Sequence, residues 1–158
     1  MPDILIVDDD RQVRDVLSEI FSSAGYNVQL AVDGREGLET FRASRPPLMI
    51  TDLQMPVMTG VQLLHAVREL DPDAAVVVLT GAADVRTAIE SLKLGAYDFI
   101  MKPVDVDELL IATERALERR QLLIERREYQ AMLERRVEEA TRDLEAAYRQ
   151  LQETYRTT

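Results

Sequence analysis

Five short apolar runs alternate with amphipathic stretches over the first hundred residues. The runs are Ile4-Leu5-Ile6-Val7, Val28-Gln29-Leu30-Ala31, Leu48-Met49-Ile50-Thr51, Ala75-Val76-Val77-Val78-Leu79 and Tyr97-Asp98-Phe99-Ile100-Met101. Four are nearly continuous in apolar residues, the mark of strands covered on both faces of a parallel sheet. The second, more polar run predicts an edge strand.

Between the runs, apolar residues recur at helical spacing. Val13, Val16, Leu17, Ile20 and Phe21 mark a first helix ended by Gly25, and Gly37, Leu38 and Phe41 a second stopped by Pro46-Pro47. Val61, Leu64, Val67 and Leu70 mark a third stopped near Pro72, and Val85, Ala88, Ile89 and Leu92 a fourth capped by Gly95. Five βα units with right-handed crossovers predict an α/β fold. It is a doubly wound five-stranded parallel sheet of flavodoxin-like order, with its site at the carboxyl ends of the strands.

The pattern changes from about Asp105. No glycine or proline follows Pro103, and helix formers run through Arg156, predicting a fifth helix extended into a coiled coil. Leu109, Leu110, Ala112, Ala116 and Leu117 can still pack on the sheet. Beyond them Val137, Thr141, Leu144, Tyr148, Leu151 and Tyr155 step by 4, 3, 4, 3 and 4, a heptad seam. Tyr129, Leu133 and Val137 step by 4 and 4, a stutter that shifts the seam. The division expected is 1–118 for the α/β domain and 119–158 for a helical linker. The seam predicts a parallel homodimer, with the fourth-helix to fifth-helix face of the α/β domain as a second contact. The stutter marks a place where helix rotation can change.

Charge sharpens this division. Residues 1–118 hold 10 Lys and Arg against 21 Asp and Glu, a net −11, while residues 119–158 hold 9 Arg against 8 acids, a net +1. The acidic excess argues against phosphate-backbone binding and for a cation partner. The absence of cysteine removes disulfides and thiolate metal sites. No apolar run is long enough to span a bilayer and no basic leader precedes the first strand, so the expectation is a cytoplasmic chain without nucleic acid or membrane as partner.

Three carboxylates fall at strand ends: Asp8 and Asp9 after the first, Asp52 after the third. Doubly wound order makes those strands neighbours, so the carboxylates should converge. Like charges about 4 Å apart repel by roughly 4 kcal/mol at an effective dielectric near 20. Such a cluster takes up protons or holds a cation, and hard oxygen ligands suit Mg2+. Thr80 and Lys102 end the fourth and fifth strands, adding a hydroxyl and an ammonium. A carboxylate nucleophile, a divalent ion, a lysine and a hydroxyl are the parts of phosphoryl transfer. Singly, each residue reads as an ordinary cap or turn; together, in this order on these strand ends, they read as a site. His65, the only histidine, falls on the outer face of the third helix and reads as surface.

Asp8-Asp9-Asp10, Asp52-Leu53-Gln54-Met55-Pro56-Val57-Met58-Thr59-Gly60, Val78-Leu79-Thr80-Gly81 and Tyr97-Asp98-Phe99-Ile100-Met101-Lys102-Pro103 resemble the motif set of two-component response-regulator receiver domains, the chemotaxis-regulator-like family, over about residues 1–118. The resemblance implies that Asp52 accepts a phosphoryl group from a histidine kinase or phosphotransfer protein. It implies Mg2+ on Asp9, Asp8, Asp52 and the Gln54 backbone carbonyl, and Thr80 and Lys102 on the phosphoryl oxygens. It further implies Phe99 as the switch aromatic coupled to Thr80, a cis Lys102–Pro103 peptide, and Gln54 and Ala82 at positions that tune phosphoryl lifetime. No enzymatic role is expected beyond Mg-dependent self-phosphorylation and self-dephosphorylation at Asp52.

Three other readings compete. A haloacid-dehalogenase-like Mg-dependent phosphatase needs a second acid where Gln54 stands. A nucleotide binder needs a phosphate loop where Asp8-Asp9-Asp10 would repel phosphate. A stand-alone adaptor acting through protein contacts accounts for the helix and ignores the acidic site. Leu133 through Leu144 further resembles the signalling helices before HD-GYP-type cyclic-di-GMP phosphodiesterases and before histidine-kinase domains. The expectation is therefore an output domain beyond Thr158.

Overall fold

A computed structural model describes residues 3–157. The strands are β1 Asp3–Val7, β2 Asn27–Ala31, β3 Leu48–Asp52, β4 Ala75–Thr80 and β5 Asp98–Met101, all parallel in the order β2-β1-β3-β4-β5. The helices are α1 Arg11–Ser23, α2 Gly34–Ser44, α3 Gly60–Leu70, α4 Val85–Lys93 and α5 Val106–Thr157, with a one-turn 3-10 segment, Ala82–Asp84, before α4. This is the expected doubly wound, flavodoxin-like sheet. The polar second run forms the edge strand β2.

Strand alternation splits the core into two layers. Leu5 and Val7 of β1, Met49 of β3 and Val76 and Val78 of β4 face Phe41, Leu63, Leu64, Val67 and Ala88 of α2, α3 and α4. Ile4, Ile6, Ile50, Val77 and Leu79 face Leu17 and Phe21 of α1 and Leu109, Ala112 and Ala116 of α5. Each fully buried aliphatic contributes about 1.5–3 kcal/mol, and these two layers hold the sheet edge on which the acids stand.

Three details depart from the sequence reading. The fifth run is not covered on both faces: β5 is the other sheet edge, with Asp98 and Phe99 half-buried and Met101 exposed. Val16 of α1 and Ile89 of α4, placed on core faces by their spacing, are exposed. In both helices the strip that meets the sheet is narrower than the apolar stripe in sequence. The second helix ends one residue before Pro46-Pro47, at Arg45 in the left-handed region (φ 48°). Gly25 (φ 94°) and Gly95 (φ 110°) close the first and fourth helices as read.

The chain divides into two compact units, Met1–Gln121 and Leu122–Thr158. In the second, helical unit Val137, Leu144, Tyr148 and Leu151 are all exposed, Leu144 by 72%. No helix among the described residues is long and apolar enough to cross a membrane.

Gly60 sets the turn from β3 into α3. A Cβ there would lie 2.3 Å from the Asp52 carbonyl oxygen and 2.8 Å from the Leu53 Cα, both main chain and unable to yield cheaply. At Gly81 the nearest atom would be 3.9 Å away. Gly60→Ala should therefore lose about 1–3 kcal/mol of stability, as overpacked sites do, while Gly81→Ala stays within about 0.5 kcal/mol of the parent. Urea unfolding followed by circular dichroism measures both.

Candidate functional site

The register builds the site. Val7 of β1 pairs with Thr51 of β3, Asp52 with Leu79 of β4, and Thr80 with Met101 of β5. Main-chain bonds carry the sheet one residue further at three places: Asp8 N–H to Ala31 O (3.2 Å), Leu53 N–H to Leu79 O (3.2 Å) and Lys102 N–H to Thr80 O (2.8 Å). Asp8, Asp52, Thr80 and Lys102 are thereby fixed at one edge by backbone pairing rather than by attraction among themselves.

Asp8, Asp9 and Asp52 each offer a carboxylate oxygen, and these atoms lie within 4.8 Å of one another. Asp8 and Asp52 are buried and Asp9 is exposed, so the cluster opens to solvent on one side. Lys102 Nζ stands 3.3 Å from Asp8 Oδ2 and 3.3 Å from Asp52 Oδ2. One ammonium thus faces two of three carboxylates and leaves the cluster net negative. An all-oxygen donor set with excess negative charge and an open side fits a hard divalent cation.

Burial raises the Asp8 carboxyl above the ordinary carboxylate range. The Asp10 N–H, donating to Asp8 Oδ1 at 2.9 Å, pulls it down; the Asp52 charge pushes it up again; Lys102 opposes both upward effects. For Lys102, burial alone would lower the ammonium, but the Asp8 and Asp52 carboxylates outweigh it and its pKa stands above that of a free lysine.

Thr80 is buried, and its hydroxyl donates to the Gly81 carbonyl at 3.0 Å. Phe99 is half-buried and packs against the α2–α3–α4 layer. Gln54 lies in the β3–α3 loop, two residues past Asp52, with its side-chain amide on Asp84 Oδ1 at 3.2 Å. Asp10 caps α1 through Gln12 N–H, as an aspartate before a helix should. The Lys102–Pro103 peptide is cis. His65 is exposed, 3.7 Å from Glu69 on its own helix.

Three features escaped the sequence reading. Arg14 of α1 donates to the Asp8 main-chain carbonyl at 2.8 Å, bracing the acidic loop. Asp84 receives the Gln54 amide. Val57 has φ 72°, with Met58 N–H donating to Pro56 O at 2.8 Å, a γ-turn beside the site. A β-branched residue in that region is strained, and Val57 is 79% exposed, so burial does not compensate it. Side-chain to main-chain contacts and single dihedrals leave no periodic trace; for Asp84 the available signal was an aspartate directly before the apolar spacing of α4.

Carboxylates at the carboxyl edge of a doubly wound sheet, with a lysine and a hydroxyl on the neighbouring strand ends, form the kind of site found in receiver-type α/β domains. Comparison with known proteins agrees. Residues 4–114 match the family model described as the response regulator receiver domain. The chain is 39% identical over 115 residues to the regulatory protein AtoC of Escherichia coli, covering 73% of this chain and 25% of AtoC. It is also 39% identical over 128 residues to the nitrogen assimilation regulatory protein NtrX of Azorhizobium caulinodans, covering 80% of this chain and 28% of that protein. A solved response regulator receiver domain from Clostridium thermocellum superposes with a TM-score of 0.76 at 32% identity, covering 78% of this chain and 99% of the other. The chain belongs to the response regulator receiver family. It spans about a quarter of the length of these curated relatives, and the family match ends at residue 114, ahead of the heptad segment.

The raised Asp8 carboxyl has a consequence for stability. A carboxyl with a folded pKa above its unfolded one contributes stability that is fully present below the unfolded value. That contribution is lost as pH rises through the folded value. Without divalent cation the protein should therefore lose stability from acid toward neutral pH through this group, and Asp8→Asn should remove that part of the loss. Thermal melts in EDTA across that range should show Asp8→Asn overtaking the parent at neutral pH. In 10 mM-scale Mg2+, roughly the order needed to fill a weak site, only the parent should gain.

Proposed function

We propose that this chain takes a phosphoryl group on Asp52 from the phosphohistidine of a histidine kinase or phosphotransfer protein, with Mg2+ held by Asp8, Asp9, Asp52 and the Gln54 carbonyl. The observation that carries the reading is the carboxylate trio, two of its members buried, with Lys102 at 3.3 Å from both buried ones. An Asp52 carboxylate oxygen forms a bond to phosphorus as the P–N bond breaks, and the imidazole leaves with the electron pair. The cation, when bound, supplies charge neutralisation for phosphoryl oxygens. Lys102 and Thr80 bind the same oxygens: the ammonium gives up its Asp52 contact, and the Thr80 hydroxyl turns from the Gly81 carbonyl. Phe99 repacks in the space that Thr80 leaves. The chemistry is self-phosphorylation followed by hydrolysis, with no other substrate turned over. Water takes the phosphoryl group from Asp52, the P–O bond to the carboxylate breaks and inorganic phosphate leaves. A cytoplasmic location is consistent with such a donor.

Acetyl phosphate with Mg2+ should add one hydroxylamine-sensitive phosphoryl group per chain, detected by intact-mass spectrometry. Asp52→Asn and EDTA should each abolish it, and Lys102→Ala should keep the fold but uncouple phosphorylation from the conformational change. Labelling that survives in Asp52→Asn would refute the assignment. A phosphatase of the competing type would instead hydrolyse an unactivated phosphate monoester such as glucose 6-phosphate.

For the heptad segment the occupant we infer is a second copy of this chain, in parallel. Glu138 and Glu145 follow Val137 and Leu144 on one flank of the seam, and Ala140 and Ala147 line the other. Antiparallel pairing would set glutamate flank against glutamate flank, whereas parallel pairing sets glutamate against alanine. The cyclic-dinucleotide output draws no support from the comparisons, whose family match ends at residue 114, before the heptad segment. Leu144→Glu with Leu151→Glu should convert a dimer to a monomer in multi-angle light scattering at tens of micromolar, about the concentration where a short coiled coil populates, and leave Asp52 labelling intact. A parent chain already monomeric there refutes the pairing.

A further inference from the structure

Four of the five helices begin at a residue whose side chain accepts a first-turn N–H. Asp10 accepts from Gln12, Asp33 from Glu36, Thr59 from Gln62, and Asp105 from Glu108. α4 differs. It carries an aspartate, Asp84, in the cap position and makes no side-chain cap bond. Asp84 has φ −110° and ψ 13°, whereas Asp10, Asp33 and Thr59 have ψ of 115°, 175° and 163°. Its carboxylate is engaged elsewhere, on the Gln54 amide across the site.

Both ends of that bond adjoin the chemistry. Gln54 follows Asp52 by two residues and Asp84 follows Thr80 by four. One carbonyl links the two groups on the β4 side: Gly81 O accepts the Thr80 hydroxyl at 3.0 Å and the Asp84 N–H at 3.1 Å. A turn of the Thr80 side chain is therefore felt at the amide of Asp84. Gln54 is exposed and Asp84 half-buried, so the bond between them stands near water and exchanges at small cost.

We propose that Asp84 is a two-position residue. Held by Gln54, it leaves the first turn of α4 uncapped in the resting chain; released, it caps α4 at the Arg86 or Thr87 N–H. The proposal rests on the phosphoacceptor reading of Asp52 for its trigger. Phosphorylation replaces the single negative charge of the Asp52 carboxylate with a phosphoryl group of about −1.5 to −2, a net gain of about −0.5 to −1 that is set closer to Gln54, which draws the amide donor and repels the Asp84 carboxylate. The N-terminal N–H groups of α4 are the receiving partner, where the helix dipole favours an anion. Asp84 thereby couples the occupancy of Asp52 to the start of α4 as a positioning residue, without touching the reacting atoms.

Amide hydrogen exchange by NMR on the full chain tests this in parent, Gln54→Met, Asp84→Ala and the double variant, each with and without Mg2+ and beryllofluoride. Methionine keeps the length of Gln54 and removes its donor. In the resting chain Gln54→Met should slow exchange at Arg86 and Thr87 by about fivefold, the factor a typical cap gives. Beryllofluoride should do the same in the parent, and neither effect should survive Asp84→Ala. Unchanged Arg86 and Thr87 exchange in Gln54→Met overturns the two-position model independently of any phosphoryl chemistry. Leu53 and Thr80 amide shifts report the trigger separately. If they do not move with beryllofluoride, the phosphoacceptor reading fails and the trigger with it; if they move while Arg86 and Thr87 do not, only the re-capping is overturned.

Discussion

The parallel pairing of β1 with β3 brings the strand ends bearing Asp8 and Asp52 side by side whatever their charges prefer. Two apolar layers drive that pairing, and their combined burial far exceeds a few kcal/mol of carboxylate repulsion. The fold therefore imposes an unfavourable cluster on itself and offsets it with local devices. Lys102 neutralises part of the charge, the Asp10 N–H bonds Asp8, and Arg14 braces the Asp8 carbonyl. The remainder is negative charge in a half-open pocket. That residual imbalance is what a bound divalent cation would relieve.

The walls of the pocket differ in rigidity for reasons visible in the packing. On the β3 side Gly60 lies close against the Asp52 and Leu53 main chain and its N–H bonds the Leu53 carbonyl at 3.0 Å, leaving no room for the backbone behind Asp52 to shift. On the β4 side the loop from Thr80 to Asp84 is a single 3-10 turn tied by a few exchangeable hydrogen bonds, with space around Gly81. On the proposed reading this is a sensible division of labour: an attacking carboxylate needs fixed geometry, and a loop that reports its occupancy needs two arrangements of nearly equal energy.

Strand identity and the carboxylate site were readable because they follow from period and order. Continuous apolar runs, Gly25 and Gly95, and acids placed just past strand ends each have a local physical cause. Edge position was harder to read. Apolar content alone presented the fifth run as a central strand, since Ile100 is buried while half-buried Phe99 and exposed Met101 contribute equally to the pattern. Val16 and Ile89 misled in the same way, because spacing gives the direction of a helical face and not the width of the groove it meets. The Gln54–Asp84 bond spans 30 residues and joins two loops, a relation no periodicity encodes. What topology sets was legible; what two loops negotiate across the site was not.

The heptad segment has the opposite imbalance, apolar surface in place of charge. Pairing two copies removes Val137, Leu144 and Leu151 from water twice over, six side chains worth about 1.5–3 kcal/mol each, or roughly 9–18 kcal/mol gross. Against this stand about 4–15 kcal/mol of lost rigid-body freedom and about 0.5–1.5 kcal/mol for each long side chain that is immobilised. The surplus is small. Thr141 at a seam position adds little, and Ala140 and Ala147 on the flank contribute no ion pairs. A seam this weak is sensitive to any second contact between the same two chains, because a linked interface acts as local concentration without adding energy of its own. A few kcal/mol of difference between resting and phosphorylated receiver surfaces would then be enough to move the assembly between populations. On the proposed pairing, a strong zipper would fix the dimer and leave it insensitive to a phosphoryl group on Asp52.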